Sequence, residues 1–277
     1  MSSSTDQHVA ERRVTATTLG GERGQSVPAK LIRTGTGTPI VFLHGLVGLN
    51  EHWEPVVDGV RDIAACTQLE LPLLELRGDR CSIQGVTDLT TEFLEQHQDT
   101  PAILVGNSFG GHVALRIALE RPDLVRGLVL AGSSGLIEKT FVRGAPVRPS
   151  REWLEEKIAE LFFDRSKMSR TDVDRAYAAL SQRGGARAMV RLSRTARRNH
   201  LGDRIGEISQ PTLIIWGKDD VVTPPSAAKL FMDLLPDARI EWLESCGHAP
   251  MIEQPAGFAA GLRSFLLERF DAGASGS

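Results

Sequence analysis

A serine, an acid and a histidine, met in that order along this chain, are the residues that together could transfer an acyl group. Ser108 lies in Gly106-Asn107-Ser108-Phe109-Gly110-Gly111, directly behind the apolar run Ala102–Val105 and just ahead of a helical pattern from His112 to Glu120. G-x-S-x-G between a strand and a helix bends the serine into a tight, strained turn. Gly106 and Gly110 are then expected to approach their neighbours too closely for a Cβ. Such a turn lifts the hydroxyl clear of the sheet edge and aims the Phe109 amide at whatever the hydroxyl attacks. Five residues alone are a weak pattern, so its meaning depends on partners downstream.

A hydroxyl becomes a nucleophile when a base takes its proton and a carboxylate holds that base in one tautomer. Of the seven histidines, only His248, in Cys246-Gly247-His248-Ala249-Pro250, combines a late position, a strand-end loop and a glycine on its amino side. Two carboxylates, Asp219 and Asp220, follow the strand-like run Thr212–Trp216. Adjacent residues of an extended loop point opposite ways, so one of the two reaches the imidazole. Asp220, three residues after Gly217, is the expected one, with Asp219 capping the turn or facing water. The other position for an acid, after Leu124–Ala131, reads Gly132-Ser133-Ser134-Gly135 and holds no carboxylate. His44-Gly45-Leu46 follows the run Ile40–Leu43. The Leu46 amide would join that of Phe109 in binding an oxyanion, with Gly45 turning the chain back and His44 bracing the loop. Losing one such donor costs about 2.7–4 kcal/mol of transition-state stabilisation.

These residues need strands to carry them. Continuous apolar runs at 39–43, 67–71, 102–105, 124–131, 212–216 and 239–243, preceded by an extended pattern at 27–33, read as strands buried on both faces. Helical patterns lie between them at 86–97, 111–119, 225–235 and 255–269. The alternation predicts an α/β fold, a doubly wound and mostly parallel sheet. It breaks once, where 150–163, 170–181 and 185–199 read as consecutive helices. Residues 138–203 are therefore expected to form a helical cap inserted after the sixth strand, with 11–137 and 204–270 as the core. The stretches 1–10 and 271–277 read as disordered tails.

A formal net charge of −3 over 277 residues, 41% hydrophobic and 24% charged, points to an ordinary globular chain, away from nucleic acid and membrane as partners. Residues 1–13 lack the apolar core of a secretory signal, and no run nears the roughly 18 apolar residues that cross a bilayer. Three cysteines without C-x-x-C spacing argue against a disulfide framework or a zinc site, and Cys246 reads as a small buried filler. No metal-ligand cluster and no dinucleotide fingerprint is present, so neither metal nor cofactor is expected. A cytoplasmic setting follows as the default, and the oligomeric state stays open.

From about Val27 to Phe270 these segments resemble the α/β-hydrolase fold superfamily. G-N-S-F-G-G is similar to the elbow of meta-cleavage-product (carbon–carbon bond) hydrolases and small capped esterases. W-G-K-D-D-x-V-x-P and G-H-A-P-M-x-E-x-P resemble the acid and histidine segments of capped esterases, lactonases and C–C hydrolases. The resemblance implies a Ser-Asp-His serine hydrolase, with Asp220 as the acid, acting on a small-molecule ester, thioester or lactone. Two alternatives are a C–C hydrolase of vinylogous diketone acids and a weakly hydrolytic ligand receptor on the same scaffold. The segment H-G-L-V-G-L-N departs from the glycine-rich form of typical C–C hydrolases, and Ala249 stands where they often carry Trp, which favours an ester. Residues 138–204 hold about 16 Lys and Arg against about 9 Asp and Glu. Arg191, Arg194, Arg197 and Arg198 recur at spacings that put them on one helical face. They form either an electropositive lid for an anionic substrate or, as is more usual, a solvated face with local ion pairs. Phe141, Trp153, Phe162, Phe163 and Met168 would line an acyl pocket or, more usually, the cap's own core.

Overall fold

The computed structural model describes residues 11–21, 26–137 and 150–270. The two expected tails and the start of the cap, with Phe141, lie outside the described residues. Eight strands form one sheet: β1 (Arg13–Leu19), β2 (Val27–Thr34), β3 (Thr38–Leu43), β4 (Ala64–Glu70), β5 (Ala102–Asn107), β6 (Val125–Ala131), β7 (Thr212–Gly217) and β8 (Ala238–Leu243). Their order is β1-β2-β4-β3-β5-β6-β7-β8. β1, β2 and β4 pair antiparallel, and every pair from β4 to β8 is parallel. This is the doubly wound, mostly parallel sheet that the alternating runs predict, in the α/β-hydrolase arrangement that the resemblance implies.

The helices are α1 (Glu54–Asp58), α2 (Ile83–His97), α3 (Phe109–Glu120), α4 (Arg151–Ala159), α5 (Arg170–Ser181), α6 (Gly185–Arg198), α7 (Pro225–Leu234), α8 (Pro250–Glu253) and α9 (Pro255–Phe270). One apolar cluster joins the sheet to α2, α3 and α7, and a second joins the other face to α1, α8 and α9. Ile40, Phe42, Ile103, Val105, Leu213 and Ile215 have no exposed surface. Strands sandwiched this way need no alternation, which is why their sequence is continuously apolar. Between β6 and β7, helices α4, α5 and α6 form the cap around a small cluster of their own that includes Leu154, Ile158, Val173 and Leu180.

Several boundaries differ from the sequence reading. β1 carries no apolar run because most of its residues are exposed at the sheet edge. β4 begins at Ala64, where small residues weaken the strand signal. α2 begins at Ile83, because the Ser82 hydroxyl caps it by accepting the Gly85 amide at 3.0 Å.

Parallel strands run outward from β3 in both directions: β4 on one side, β5 on the other. At such a reversal the loops after neighbouring strands part and leave a crevice at the carboxyl edge. The loops after β3 and β5 carry Leu46 and Ser108 respectively, so the topology alone brings them together.

Candidate active site

Ser108 joins β5 to α3 with φ 53° and ψ −117°, a conformation that side chains rarely adopt. It costs on the order of 1–3 kcal/mol and persists only where surrounding bonds enforce it. The Ser108 amide donates to the Ala131 carbonyl at 3.0 Å, and its own carbonyl accepts the Ser134 and His112 amides at 3.1 and 3.2 Å. A Cβ at Gly106 would stand 2.5 Å from the Gly111 nitrogen, and one at Gly110 would stand 2.3 Å from the Leu43 carbonyl oxygen. Both glycines are thus required by close approach, as the motif implies.

His248 and Asp220 meet at the ends of β8 and β7. His248 Nδ1 lies 2.8 Å from Asp220 Oδ2, with both residues buried. A carboxylate can only accept here, so Nδ1 carries a proton, and in the neutral ring this leaves Nε2 as the acceptor. Asp220 Oδ1 accepts the Val222 and Thr223 amides at 2.8 and 2.9 Å, which fixes the carboxylate plane. The Thr223 hydroxyl lies 2.7 Å from Oδ2 and 3.0 Å from the Gly132 carbonyl, closing the ring around the pair. Asp219 is exposed, in keeping with its expected place in the turn.

The loop after β3 passes over the elbow, and the position of a Cβ at Gly45 lies 3.5 Å from that of Ser108. His44 braces it: Nε2 accepts the Leu71 amide at 3.2 Å, and Nδ1 donates to the Gly45 carbonyl at 2.7 Å. Burial lowers the His44 pKa, in keeping with a neutral ring in that tautomer. The amides of Leu46 and Phe109 have no acceptor among the described residues. Nor does the Ser108 hydroxyl make a hydrogen bond among them. Both amide-bearing residues, Ser108 and His248 line one cavity of about 330 Å³. Of the other histidines, His112 is fully buried in α3 and its pKa is pushed down to about 3 by burial and Arg116, so it stays neutral and off the cavity.

Three polar residues carry more of this geometry than the motifs foretell. Asn107 Nδ2 donates to the Ala131 and His248 carbonyls at 3.0 and 3.1 Å, tying the elbow to the histidine loop. Thr223 supports Asp220 as described. Glu253, buried in α8, accepts the Gly247 amide at 2.7 Å on one oxygen, and the Phe163 and Asp164 amides at 2.8 and 3.1 Å on the other. Burial raises its pKa. The His248 amide itself donates to the cap's Leu161 carbonyl at 2.7 Å. A Cβ at Gly247 would sit 2.5 Å from that same oxygen, which explains the glycine before the histidine. All three lie inside the elbow, acid and histidine segments, the only signal that could have marked them.

The cap lines the cavity with Ile158, Leu161, Phe162, Met168 and Met189. Phe162 and Met168 thus face the cavity while also packing on the cap cluster; Trp153 packs on that cluster, and Phe163 is 53% exposed. Arg194 and Arg197 also line the cavity, whereas Arg191 faces elsewhere and lies 3.9 Å from Asp79. The four arginines therefore do not share one face: their arc is wide enough that two surfaces divide it. At the cavity's other rim His52 Nε2 bonds Asp172 at 3.1 Å, joining core to cap, and its Nδ1 accepts the Leu49 amide. With both nitrogens engaged, His52 is a fastener and has no free base to offer.

Comparison with known proteins agrees with this architecture. The model of the alpha/beta hydrolase family matches residues 40–261. A pimeloyl-[acyl-carrier protein] methyl ester esterase of Nitrosomonas europaea is 29% identical over 249 residues, covering 82% of this chain and 95% of that protein. A 2-hydroxy-6-oxo-6-(2'-aminophenyl)hexa-2,4-dienoic acid hydrolase of Metapseudomonas resinovorans is 27% identical, covering 88% and 89%. Among solved structures, an alpha/beta hydrolase enzyme from the metagenome of lagoon sediments at Mar Chica, Morocco, superposes with a TM-score of 0.72. It is 30% identical and covers 92% of this chain and 99% of that one.

Proposed function

Because the chain belongs to the alpha/beta hydrolase family, with esterases and carbon–carbon hydrolases among its relatives, we propose that it is a serine hydrolase of small-molecule carboxylic esters, thioesters or lactones. The reading rests on one observation: the Ser108 elbow, the His248–Asp220 pair and two amides unpartnered among the described residues converge on one largely apolar cavity. Ser108 attacks the carbonyl as His248 Nε2 takes its proton, a hydrogen bond that commonly tightens only when substrate binds. The Leu46 and Phe109 amides hold the developing oxyanion, and Asp220 stabilises the imidazolium. His248 then returns the proton to the leaving alcohol, and water releases the acyl group by the same steps reversed. No cofactor enters this sequence. A cytoplasmic setting suits the free and buried Cys66, Cys81 and Cys246.

A second reading, hydrolysis of a C–C bond in a vinylogous diketone acid, is favoured by Arg194 and Arg197 on the cavity wall. Esters of graded acyl length and charge, run beside a dienoate ring-fission substrate, separate the two. Ser108→Ala should abolish both turnover and covalent labelling by an organophosphonate. Labelling that survives the substitution rules out Ser108 as nucleophile. If the arginines attract substrate, KM for a carboxylate-bearing ester should rise with salt while KM for a neutral analogue holds still.

A further inference from the structure

A second cavity, of about 290 Å³, opens on a different face of α6 from the one that meets Ser108. Four arginines line it. Arg77 comes from the core loop after β4, while Arg183, Arg187 and Arg191 come from the cap. Arg77 is held in place: Nη1 donates to the Leu74 and Leu76 carbonyls at 3.0 and 2.8 Å, and Nη2 to the Arg183 carbonyl at 2.7 Å. Its guanidinium lies within 3.0–3.2 Å of the place a Cβ at Gly184 would take, so the cap turn is shaped to its plane. Arg183 and Arg187 have neither an acidic partner nor a side-chain hydrogen bond among the described residues. Among the described residues the one acidic partner of Arg191 is Asp79, at 3.9 Å, whose carboxylate is fully exposed.

Four guanidiniums around one concavity repel each other, and one loose carboxylate does not offset them. The N-terminus of α6 opens at the same place, and its N-cap, Gly184, offers no side chain to the first-turn amides. Guanidinium forks match the oxygens of a phosphoryl group, and several of them favour a multiply charged one. The cavity is large enough for a phosphate together with an organic substituent or a second phosphate.

We propose that this cavity binds a phosphate-bearing anion, which bridges Arg77 of the core to Arg183, Arg187 and Arg191 of the cap. The site is separate from the one that holds Ser108, and neither the proposed reaction nor the resemblance assigns it a role.

Isothermal titration of the full chain with inorganic phosphate, pyrophosphate and a nucleoside 5'-monophosphate tests the site. At least one should bind with an affinity that falls as salt rises. A nucleotide that outbinds phosphate identifies an organic phosphate as the ligand, and equal affinities identify the free ion. Arg183→Ala with Arg187→Ala should weaken binding by at least about tenfold. Both positions are exposed, so this double variant should keep the parent's unfolding midpoint. Arg187→Lys, which keeps the charge but not the fork, should fall between. Protein phosphonylated on Ser108 should bind the anion as the free protein does. The proposal is overturned by no binding at millimolar anion, by unchanged affinity in the double variant, or by loss of binding after phosphonylation, which would put the anion beside Arg194 and Arg197.

Discussion

The two oxygens of Asp220 have different tasks, one fixed by backbone amides and the other turned to His248 Nδ1. An amide in its place meets donors on both sides, so Asp220→Asn sets either a donor against His248 or a donor against the Val222 and Thr223 amides. The imidazole is then driven to the wrong tautomer, and kcat should drop by about 10⁴-fold. Asp219 is exposed, and Asp219→Asn should change kcat by no more than about twofold. Steady-state kinetics on one ester compares the two, and the reverse order would exchange their roles. The convergence of Ser108, Asp220 and His248 was readable in the sequence because each stands in a loop that follows a parallel strand. Asn107 and Thr223 were not, since a single polar residue inside a motif declares its partner only once the β5, β6 and β7 loops converge.

At the scale of elements, α8 matters out of proportion to its four residues, Pro250–Glu253. Through Glu253 it gathers three amides, one from the histidine loop and two from the cap. Glu253→Ala leaves them without an acceptor and should cost about 2 kcal/mol or more in urea unfolding, with a fall in kcat as His248 loses its frame. Burial raises the Glu253 pKa above its ordinary 4.5, so the folded state holds this proton more tightly than the unfolded chain does. Its contribution to stability is complete below that ordinary value and is lost as pH rises through the raised one. Against Glu253→Gln, whose side chain does not titrate, the wild type should therefore lose relative stability as pH climbs from about 4 toward neutrality. A difference in unfolding midpoint that stays flat over that range would show that the group does not titrate there. The sequence announced the central strands through burial on both faces, whereas β1, pairing along one edge with most of its residues in water, had no apolar run to announce it.

Across the whole molecule, the contacts that join core and cap among the described residues include two unlike seams on either side of the cavity. One is buried and built on backbone, where His248 and Glu253 meet Leu161, Phe163 and Asp164. The other is more open and electrostatic, with Arg175 on Glu51 at 2.6 Å and His52 on Asp172 at 3.1 Å. An exposed pair such as Arg175–Glu51 holds about 1 kcal/mol or less, so the cap should gape at the second seam before the first, with the first as its pivot. Asp172→Asn should speed amide hydrogen exchange in α5 and leave residues 161–164 unchanged; faster exchange at 161–164 first would reverse the hinge. The His52 hydrogen bond lowers the Asp172 pKa, so its contribution is present above the ordinary carboxylate value and fades as pH falls through the depressed one. Acid should thus loosen this seam in the wild type as the substitution does at neutral pH. That a helical cap interrupts the sheet was legible from the lapse in strand signals. Where it fastens was not, because the fasteners are lone side chains and main-chain amides.

The bond from the His248 amide to the Leu161 carbonyl also bears on how such enzymes diversify. A cap transplanted from another scaffold would change the cavity wall and, in the same exchange, remove an anchor of His248 beneath it. Residues 161–164 and 246–253 are consequently one hydrogen-bonded unit built from two distant stretches of chain. A chimaera that keeps the unit whole should hold His248 as this chain does, while one that splits it should leave the His248 amide without the Leu161 carbonyl.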